Sequence, residues 1–310
     1  MRKLIIAAFC VVGCLSFGVA NAQTNNLNEP GSMLVWPLID NIDHTTIVEI
    51  VNRAPNPVWL GCFMITESGE PCVYNKDDFT IHLTHNEPFW WQTDLPYNRT
   101  DADGVITQIP AFNNQIGFMF CWAIDDVTTQ LEIDWDWLMG DAFLFDLATS
   151  RAWSYNAIPH QSIAVVGDRI LNLDGAEYTM ATSQIMWDAF AAGVAGIEGT
   201  LSVTNLDIDF ILSEQPDFDV NFECWNQDEV QSSRHLDLCQ SENWDLRTDL
   251  RLSLAEIFTA KYHCSTTATG ALWAVVSQNA ARFEWGDLVW QHPATGVAAV
   301  VVLPPPPVAP

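Results

Sequence analysis

Basic residues are scarce in this sequence. Its 310 residues include 12 Lys and Arg against 39 Asp and Glu, so the formal net charge at pH 7 is −27. A surface of this sign repels the phosphates of nucleic acids and the headgroups of anionic lipids. The charge therefore argues against a nucleic-acid partner. It fits divalent cations, basic partners or solubility alone, and we favour solubility.

Several motifs that mark common enzymes are absent. The sequence contains no G-x-S-x-G nucleophile motif, no glycine-rich phosphate loop and no C-x-x-C pair. These absences count against serine hydrolases, nucleotide-binding enzymes and zinc sites. We therefore favour a protein without catalytic activity and without a cofactor, with Ca²⁺ as the one ion left open.

The N-terminus predicts export. Two basic residues precede an apolar run over 4–20, and the small-residue sequence Ala-Asn-Ala ends at Ala22. This pattern is typical of a bacterial signal peptide over residues 1–22, with a mature chain that starts at Gln23. A lipobox ending at Cys14 offers the alternative of a lipid anchor. The predicted location is secreted, periplasmic or on the outer surface, and no later apolar run is long enough to span a membrane.

The cysteines predict disulfides. Beyond the predicted signal peptide the chain keeps an even number of them, which in an exported protein indicates disulfides more than metal ligands. The preferred pairing is Cys62–Cys72, Cys224–Cys239 and Cys121–Cys264, the last of which would link two halves of the chain. An alternative that the sequence leaves open pairs Cys121 with Cys72.

Alternating residue types predict β-strands. A hydrophobic content of 49%, with 14 Trp and 16 Phe, excludes a disordered acidic chain. Residues 79–83 alternate between apolar and polar types, which is typical of a half-buried strand. Residues 118–124 are apolar at every position, which predicts a strand covered on both faces. Residues 131–137 alternate Leu, Ile and Trp with Glu and Asp, which predicts a half-buried strand with its acidic side in solvent.

A similar order of strands recurs in the second part of the chain. Residues 46–66 read as two apolar runs joined by a turn that contains two prolines. Residues 199–225 repeat this arrangement, and Cys62 and Cys224 each follow a valine by four positions. The recurrence indicates a pseudo-repeat of strand order.

Two shorter segments extend this pseudo-repeat. Residues 249–258 parallel residues 78–83, and residues 270–276 parallel residues 117–123. Short strands with turn-rich connections are typical of antiparallel sandwiches. We therefore predict an all-β fold of two antiparallel β-sandwich domains, either Ig-like or jelly-roll-like.

A linker with a short helix is predicted between the two sandwiches. Thr182 or Ser183 can cap a helix over "QIMWDAFAA", and Gly193 can end it. The predicted organisation is a signal peptide over 1–22, a flexible N-terminus over 23–32, a first sandwich over 33–171, the linker over 172–196, a second sandwich over 197–302 and a proline-rich tail over 303–310.

The first part of the chain resembles a known group of proteins. The segments that carry the resemblance are "LVWPLIDNIDHTTIVEIVNRAPNPV", "CVYNKDDFTIHLT", "IGFMFCWAID", "WLMGDAFLFD", "YNAIPH" and "LDGAEYTM". They are similar to a family of exported bacterial proteins with a proline-containing strand, a T-x-I-x-I-x-N strand and a Cys/Asn/Asp/Phe stretch. The similarity covers most of residues 33–180. That family has no assigned function, so the resemblance implies no activity, cofactor or catalytic residue.

A second, local resemblance concerns "LEIDWDWLMGD". This string is similar to the E-I-D-x-x-E strand of the laminarinase and xyloglucan endotransglycosylase family of jelly-roll glycosidases. The resemblance implies that Glu132 is the nucleophile, that Asp134 is its electrostatic partner, and that Asp136 stands where a Glu acid/base belongs. Residues i and i+4 on a flat strand lie about 13 Å apart, whereas a retaining pair needs about 5 Å. We therefore favour a solvated acidic face and keep the glycosidase as an alternative.

Two histidines raise the question of a metal site. His82 and His85 lie near Asp77, Asp78 and Glu87 in the sequence. Residues three apart on a strand point to opposite faces, so these histidines converge only if the strand ends between them. We favour an isolated polar pair.

Two aspartate-rich loops are candidate calcium sites. "NRTDADG" places Asp101 and Asp103 as in half of a calcium loop, but it lacks the acidic residues at both ends of an EF-hand. Asp40 and Asp43 in "IDNIDH" form a similar loop. Turn formation alone also accounts for this composition.

Trp90 and Trp91 are candidate ligand-binding residues. Adjacent residues of a regular strand cannot both face the core, so one of the two rings is a candidate for exposure. An exposed ring flanked by carboxylates is suited to stacking on a sugar ring. We favour the other interpretation, in which a loop covers both rings.

The sequence predicts a function only by class. We favour a non-catalytic secreted or envelope-surface protein with a structural or adhesive role. The alternatives are a carbohydrate-binding module that uses an exposed tryptophan, and a jelly-roll glycosidase. The partners that remain open are a polysaccharide and further copies of the chain, joined through sheet edges into surface structures.

Overall fold

The computed structural model describes residues 25–67, 74–146, 148–190, 197–211, 218–226, 228–239, 241–252, 261–280, 283–288, 290–291 and 296–305. Within these ranges every helix or strand element is a β-strand, which agrees with the predicted all-β class. No helix in this part of the chain is long and apolar enough to cross a membrane. The predicted signal peptide and the end of the proline-rich tail lie outside the described residues.

The N-terminal half, residues 33–160, contains eleven strands. They are β1 Met33–Asp40, β2 Thr45–Asn52, β3 Val58–Glu67, β4 Tyr74–Leu83, β5 Pro88–Gln92, β6 Tyr97–Thr100, β7 Ile106–Ile109, β8 Ile116–Ile124, β9 Leu138–Asp146, β10 Arg151–Asn156 and β11 Ile158–His160.

The remaining strands follow in the C-terminal half, residues 170–302. They are β12 Ile170–Leu173, β13 Ala181–Phe190, β14 Glu198–Thr204, β15 Ile208–Asp209, β16 Phe218–Asn226, β17 Gln231–Leu238, β18 Ser241–Asp245, β19 Lys261–Ala280, β20 Phe283–Leu288, β21 Trp290–Gln291, β22 Gly296–Val297 and β23 Ala299–Val302.

The N-terminal half consists of two antiparallel sheets and a hairpin. Sheet 1 has the order β11-β1-β8-β3-β4, and sheet 2 has the order β10-β9-β2-β5. Alternate residues of both sheets meet in one apolar core that includes Trp36, Ile50, Leu60, Trp91 and Leu144. The hairpin of β6 and β7 is separate from both sheets.

Sheet 1 is buried on both faces, as its central strand β8 shows. Met119 and Cys121 belong to the core between sheets 1 and 2. Phe118, Phe120 and Trp122 belong to a second core on the opposite side. This two-sided burial confirms the prediction from the uninterrupted apolar sequence of β8.

The second core joins the two halves of the chain. It is closed by the three-stranded sheet β12-β23-β15 and by residues from the middle of β19. Leu171, Val301 and Trp273 are fully buried in it. Sheet 1 is therefore an internal layer, and sheet 2 lies on the outside of the N-terminal half.

The C-terminal half is built around the 20-residue strand β19. The first part of β19 pairs with β13 and β16, which gives sheet 3 with the order β17-β16-β19-β13-β21. The second part pairs with β14 and β20, which gives sheet 4 with the order β18-β14-β19-β20. A third core lies between sheets 3 and 4.

The two halves share one topology. Sheet 3 repeats the order of sheet 1 when β17, β16, the first part of β19, β13 and β21 are matched with β4, β3, β8, β1 and β11. Sheet 4 repeats sheet 2 when β18, β14, the second part of β19 and β20 are matched with β5, β2, β9 and β10. The matched strands also follow the same order along the chain. The predicted recurrence of strand order is therefore confirmed.

Two of the predicted parallels are wrong in detail. The place of β4 is taken by β17, and not by residues 249–252, while residues 253–258 lie outside the described residues. Residues 270–276 lie mostly in the part of β19 that corresponds to β9, whereas they were matched to β8. Short apolar segments look alike in every buried strand, so sequence similarity at this length does not identify the strand that corresponds.

The helix predicted after Thr182 is also wrong, because these residues form β13. Ile185 and Trp187 are buried in the third core, while Asp188 between its neighbours is exposed. This is the period of two that a strand requires. The pairing of β13 with β19 outweighs the local capping signal. Gly193 lies outside the described residues, and the predicted domain boundaries stay predictions.

Two disulfides join directly opposite residues of neighbouring strands. Cys62 on β3 bonds to Cys121 on β8, and Cys224 on β16 bonds to Cys264 on β19, with Cα atoms 4.1 Å apart in each pair. These are equivalent positions in the shared topology. Disulfides fit an extracellular or periplasmic protein, because the bonds persist in oxidising compartments.

The predicted disulfide pairing is wrong. This applies to Cys62–Cys72, Cys224–Cys239 and Cys121–Cys264, and to the alternative of Cys121 with Cys72. The prediction favoured cysteines that are close in sequence, whereas an antiparallel ladder places distant residues opposite each other. Cys239 is also disulfide-bonded, and Cys72 lies outside the described residues.

Candidate functional site

The candidate site is the outer face of sheet 2, which points away from the core. Alternation decides which side chains lie there, since Val48, Phe89, Trp91 and Leu144 point inward. The outer face carries Ile47, Glu49 and Val51 on β2, Pro88, Trp90 and Gln92 on β5, Met139, Asp141, Phe143 and Phe145 on β9, and Ser154 and Asn156 on β10.

The two adjacent tryptophans point in opposite directions. Trp91 is fully buried, whereas Trp90 is 60% exposed. The favoured interpretation, in which a loop covers both rings, is therefore wrong, because the ring of Trp90 is exposed. Trp90 lies on β5, the edge strand of sheet 2, so its indole is accessible at the border of the face.

A row of polar residues crosses the middle of the outer face beside Trp90. Trp90 lies opposite Glu49, Glu49 lies opposite Asp141, and Asp141 lies opposite Asn156. Opposite residues of antiparallel strands have Cβ atoms about 5 Å apart. Two carboxylates are therefore neighbours, and burial together with the negative charge of Glu49 raises the pKa of Asp141.

Apolar side chains border this row on both sides. Val51 lies opposite Met139 on one side, and Ile47 lies opposite Phe143 on the other. Met139 and Phe143 are 41% and 40% exposed. The ring of Phe143 stacks on that of Phe145, with 6.4 Å between centroids and 14° between planes. The face therefore combines exposed apolar side chains with a central row that contains two carboxylates.

A groove of about 220 Å³ opens beside this row of polar residues. Glu49, Asp141, Asn156 and Glu29 are among its lining residues, so a third carboxylate contributes to it. Gly140 allows β9 to lie close to Trp36 of β1, because a Cβ at this position would be 2.6 Å from the ring of Trp36.

The three carboxylates of "LEIDWDW" do not form a catalytic strand. Residues 125–137 connect β8 to β9 without regular structure, except that Glu132 forms an isolated bridge with Ile124. The half-buried strand predicted over 131–137 is therefore wrong. The prediction that its acidic side faces solvent is also wrong, because Glu132 is only 2% exposed.

Each of these carboxylates accepts hydrogen bonds from the segment that follows β11. Glu132 accepts the backbone N–H groups of Asp168 at 2.6 Å and Arg169 at 2.9 Å. Burial raises the pKa of Glu132, although these hydrogen bonds oppose the shift. Asp136 accepts the N–H of Ser162 at 2.8 Å, and Asp134 accepts the hydroxyl of the same serine. Both oxygens of Glu132 hold the backbone in place.

The structure brings His82 to Asp101 and not to His85. The imidazole Nδ1 of His82 bonds to one carboxylate oxygen of Asp101. The other oxygen of Asp101 accepts the N–H groups of Asp103 and Val105, each at 2.9 Å. Burial raises the pKa of Asp101, but these hydrogen bonds outweigh burial and leave it lowered. Both oxygens of Asp101 already have partners from the protein.

Other predicted metal ligands are spread along the hairpin of β3 and β4 and the loop that follows. Glu87 accepts hydrogen bonds from both the N–H and the hydroxyl of Thr84, at 2.6 and 2.9 Å, and it pairs with Arg99. Asp77 and Asp78 are exposed on β4. The contacts of Glu87 and His82 therefore belong to separate clusters.

Asp40 forms a second aspartate–histidine pair. Its Oδ1 accepts the N–H groups of Ile42 at 2.9 Å and Asp43 at 3.1 Å, and its Oδ2 lies 2.7 Å from Nδ1 of His44. This is the geometry of a turn closed by an aspartate side chain. Calcium binding by Asp40, Asp43, Asp101 or Asp103 stays a prediction.

Three further features of the structure were not predicted from the sequence. A polar cleft of about 700 Å³ lies between the two halves and is lined by His44, Arg151 and Asn243, among others. Asp219 and Asp237 flank His235 on β16 and β17, and all three are exposed. The third feature is the facing pair of Glu49 and Asp141. The glutamate within the apolar run of β2 was the available signal.

Comparison with known proteins adds little. No protein-family model matches the chain, and no curated protein matches it. Five chains of solved structures match. One is a candidate secreted protein from Parabacteroides distasonis, with 10% identity over 85% of this chain and 73% of that one, at a TM-score of 0.20. A likeness this distant carries no argument about function.

Proposed function

We propose that this protein is a non-catalytic, exported β-sandwich protein with an adhesive role, and that it binds polysaccharide through the outer face of sheet 2. The observation that carries the proposal is Trp90. Its ring is largely exposed on an edge strand, next to a strip of hydrogen-bonding side chains.

The chemistry of the outer face supports a sugar ligand. An indole ring offers an apolar plane on which the C–H face of a pyranose can stack. Carboxylate and amide oxygens accept hydrogen bonds from the hydroxyl groups at the ring edge. Glu49, Asp141 and Asn156 supply such oxygens in one row with Trp90.

An open sheet also suits a chain-like ligand. Sheet 2 presents four strands side by side, about 4.8 Å apart, so its outer face spans about 15 Å across the strands. This width accommodates several sugar units of an extended polysaccharide. The pairing of exposed rings with polar neighbours on a rigid sheet favours binding without large rearrangement.

Two observations support the absence of catalysis. The carboxylates that resemble a glycosidase strand hold the backbone of residues 162–169. Glu132 is almost completely buried, so a substrate would have to displace these contacts before reaching it.

The test is retention of the purified protein on insoluble polysaccharides, with Trp90→Ala compared to the unsubstituted chain. We expect Trp90→Ala to weaken retention about ten-fold, because a stacked ring contributes on the order of 1 kcal/mol or more. Its melting temperature should stay close to that of the parent, since the side chain is mostly exposed.

The matched control is Phe190→Ala, which removes another exposed ring on sheet 3. This variant should be retained like the parent protein. Equal retention of the parent and Trp90→Ala, or an equal loss in both variants, would refute the proposal. Assembly of copies through sheet edges would show instead as retention that depends on protein concentration and not on Trp90.

A further inference from the structure

We propose that the outer face of sheet 2 prefers glycans that carry free amino groups, with Trp90 stacking on a sugar ring and Glu49 and Asp141 binding the ammonium groups. This inference rests on the proposed function and specifies the class of polysaccharide. It follows from the charge on the face and from the spacing of the row.

Negative charge is concentrated at the centre of the face. Glu49 and Asp141 lie directly opposite each other, and Glu29 lines the same groove. Like charges in this position repel and destabilise a sheet. A cation placed between them would remove that cost, whereas a neutral sugar would not.

Several basic side chains of the described residues pair with carboxylates outside this face. Arg99 pairs with Glu87, and Arg151 pairs with Asp146. Arg53 is near the rim of the face, where its guanidinium donates to the sulfur of Met139. Among the described residues no basic side chain forms an ion pair with Glu49 or Asp141. The complementary charge therefore has to come from the ligand.

The spacing of the row fits an amino sugar. Glu49 is one strand away from Trp90, about 5 Å, and Asp141 is two strands away, about 10 Å. A pyranose stacked on the indole can direct an amino group at its edge to Glu49. The next unit of the chain can place a second amino group near Asp141.

An ammonium group suits this face better than a calcium ion does. Calcium takes six to eight oxygen ligands that surround it. The row offers carboxylates from one side of an open sheet, and Trp90 and Phe143 border them. An ammonium group has three donors, and it also interacts favourably with the face of an aromatic ring.

The test compares chitosan and chitin oligosaccharides of equal length, because they differ only in whether the amino groups are free or acetylated. Binding is measured by calorimetry at mildly acidic pH, where free amino groups are charged. We expect chitosan to bind about ten-fold more tightly than chitin, and this preference should shrink as salt is added.

Two matched double variants test whether the preference for free amino groups depends on Glu49 and Asp141. Glu49→Gln with Asp141→Asn should abolish it, and it should also raise the melting temperature slightly by relieving repulsion. Asp219→Asn with Asp237→Asn removes the same charge from an exposed pair on sheet 3, and it should leave the preference unchanged. Trp90→Ala should weaken the binding of both oligosaccharides.

The outcomes separate this inference from the proposed function. Equal binding of both oligosaccharides, lost only in Trp90→Ala, would refute the amino-sugar preference and leave polysaccharide binding in place. If Trp90→Ala changes the binding of neither oligosaccharide and of none of the polysaccharides above, both the amino-sugar preference and the proposed function are overturned. Binding of polylysine that requires Glu49 and Asp141, without binding of chitosan, would replace the inference with a site for basic peptides.

Discussion

The two halves of this protein share a strand order and differ in the outer faces that they expose. In the N-terminal half, sheet 2 presents Trp90, Phe143 and a pair of carboxylates to solvent. In the C-terminal half, the matching face of sheet 4 carries small polar residues on β14, of which Ser202 and Thr204 are buried.

The matching face is partly buried because it meets the N-terminal half, and the rest of it lines the polar cleft between the halves. Trp273 and Val275 point outward from sheet 4, since their neighbours Leu272, Ala274 and Val276 fill the core between sheets 3 and 4. Trp273 belongs to the core that joins the halves, and Val275 belongs to the core of the N-terminal half. One copy of the fold therefore uses this face for internal contact, and the other leaves it available for a ligand.

The connection after the central strand differs as well. In the C-terminal half, β19 continues from sheet 3 into sheet 4. In the N-terminal half, residues 125–137 interrupt the corresponding path between β8 and β9. These residues carry Glu132, whose carboxylate holds residues 168 and 169. The acidic segment therefore distinguishes the N-terminal half from the C-terminal half. Its hydrogen bonds fix residues 168 and 169, which lie in the chain between the two halves.

The largest expected effect concerns what the halves have in common, their cross-strand disulfides. Replacing Cys62 and Cys121 by alanine should lower the free energy of unfolding by about 2–5 kcal/mol, because the unfolded chain gains freedom. Replacing Cys224 and Cys264 should have a similar effect, since the two loops have comparable lengths. Urea unfolding measures both. An unaltered stability in either variant would break the equivalence of the two halves.

A second prediction concerns the contact between the halves. His160 is fully buried, with its Nδ1 2.7 Å from the carbonyl of Thr179 and its Nε2 accepting the indole N–H of Trp273 at 2.8 Å. Burial lowers the pKa of His160 to about 4, and the hydrogen bond to Thr179 opposes this shift only partly. Folding therefore favours the neutral ring.

Because the folded pKa of His160 is depressed, its contribution to stability is complete above pH 6.5 and is lost as the pH falls towards 4. The loss should reach about 3 kcal/mol. Urea unfolding across this pH range measures it, with His160→Gln as the control that removes this part of the slope. Identical slopes in the two proteins would show that the contact between the halves does not depend on this proton.

The smallest of these effects concerns the segment found in one half only. Glu132→Ala leaves the N–H groups of Asp168 and Arg169 without their acceptor, so it should cost about 1–3 kcal/mol in urea unfolding. Glu132→Gln retains one acceptor and should cost less. Polysaccharide retention should persist in both. Hydrolysis of a glycan by the parent protein that disappears in Glu132→Gln would instead support the glycosidase.

Local sequence patterns identified several strands, but they did not identify which strands lie side by side. Such patterns identified the all-β class and the two-sided burial of β8, because each depends on neighbours along one strand. They offered the exposed ring of Trp90 only as the less favoured interpretation. The strand β13 and the disulfide of Cys62 depend on which strand lies alongside, which no local pattern contains. The pair of Glu49 and Asp141 was not predicted for the same reason. These residues are distant in sequence, and only the register of β2 and β9 places them opposite each other.

The positions of the two disulfides have a mechanical consequence for the chain under tension. They enclose segments with sequence separations of 59 and 40 residues. A pulling force applied at the chain ends cannot extend these segments while the bonds remain, which withholds about 200 Å and about 140 Å of extension. Under tension the residues enclosed by these two bonds therefore bear no load, and they can extend only after the bonds are reduced.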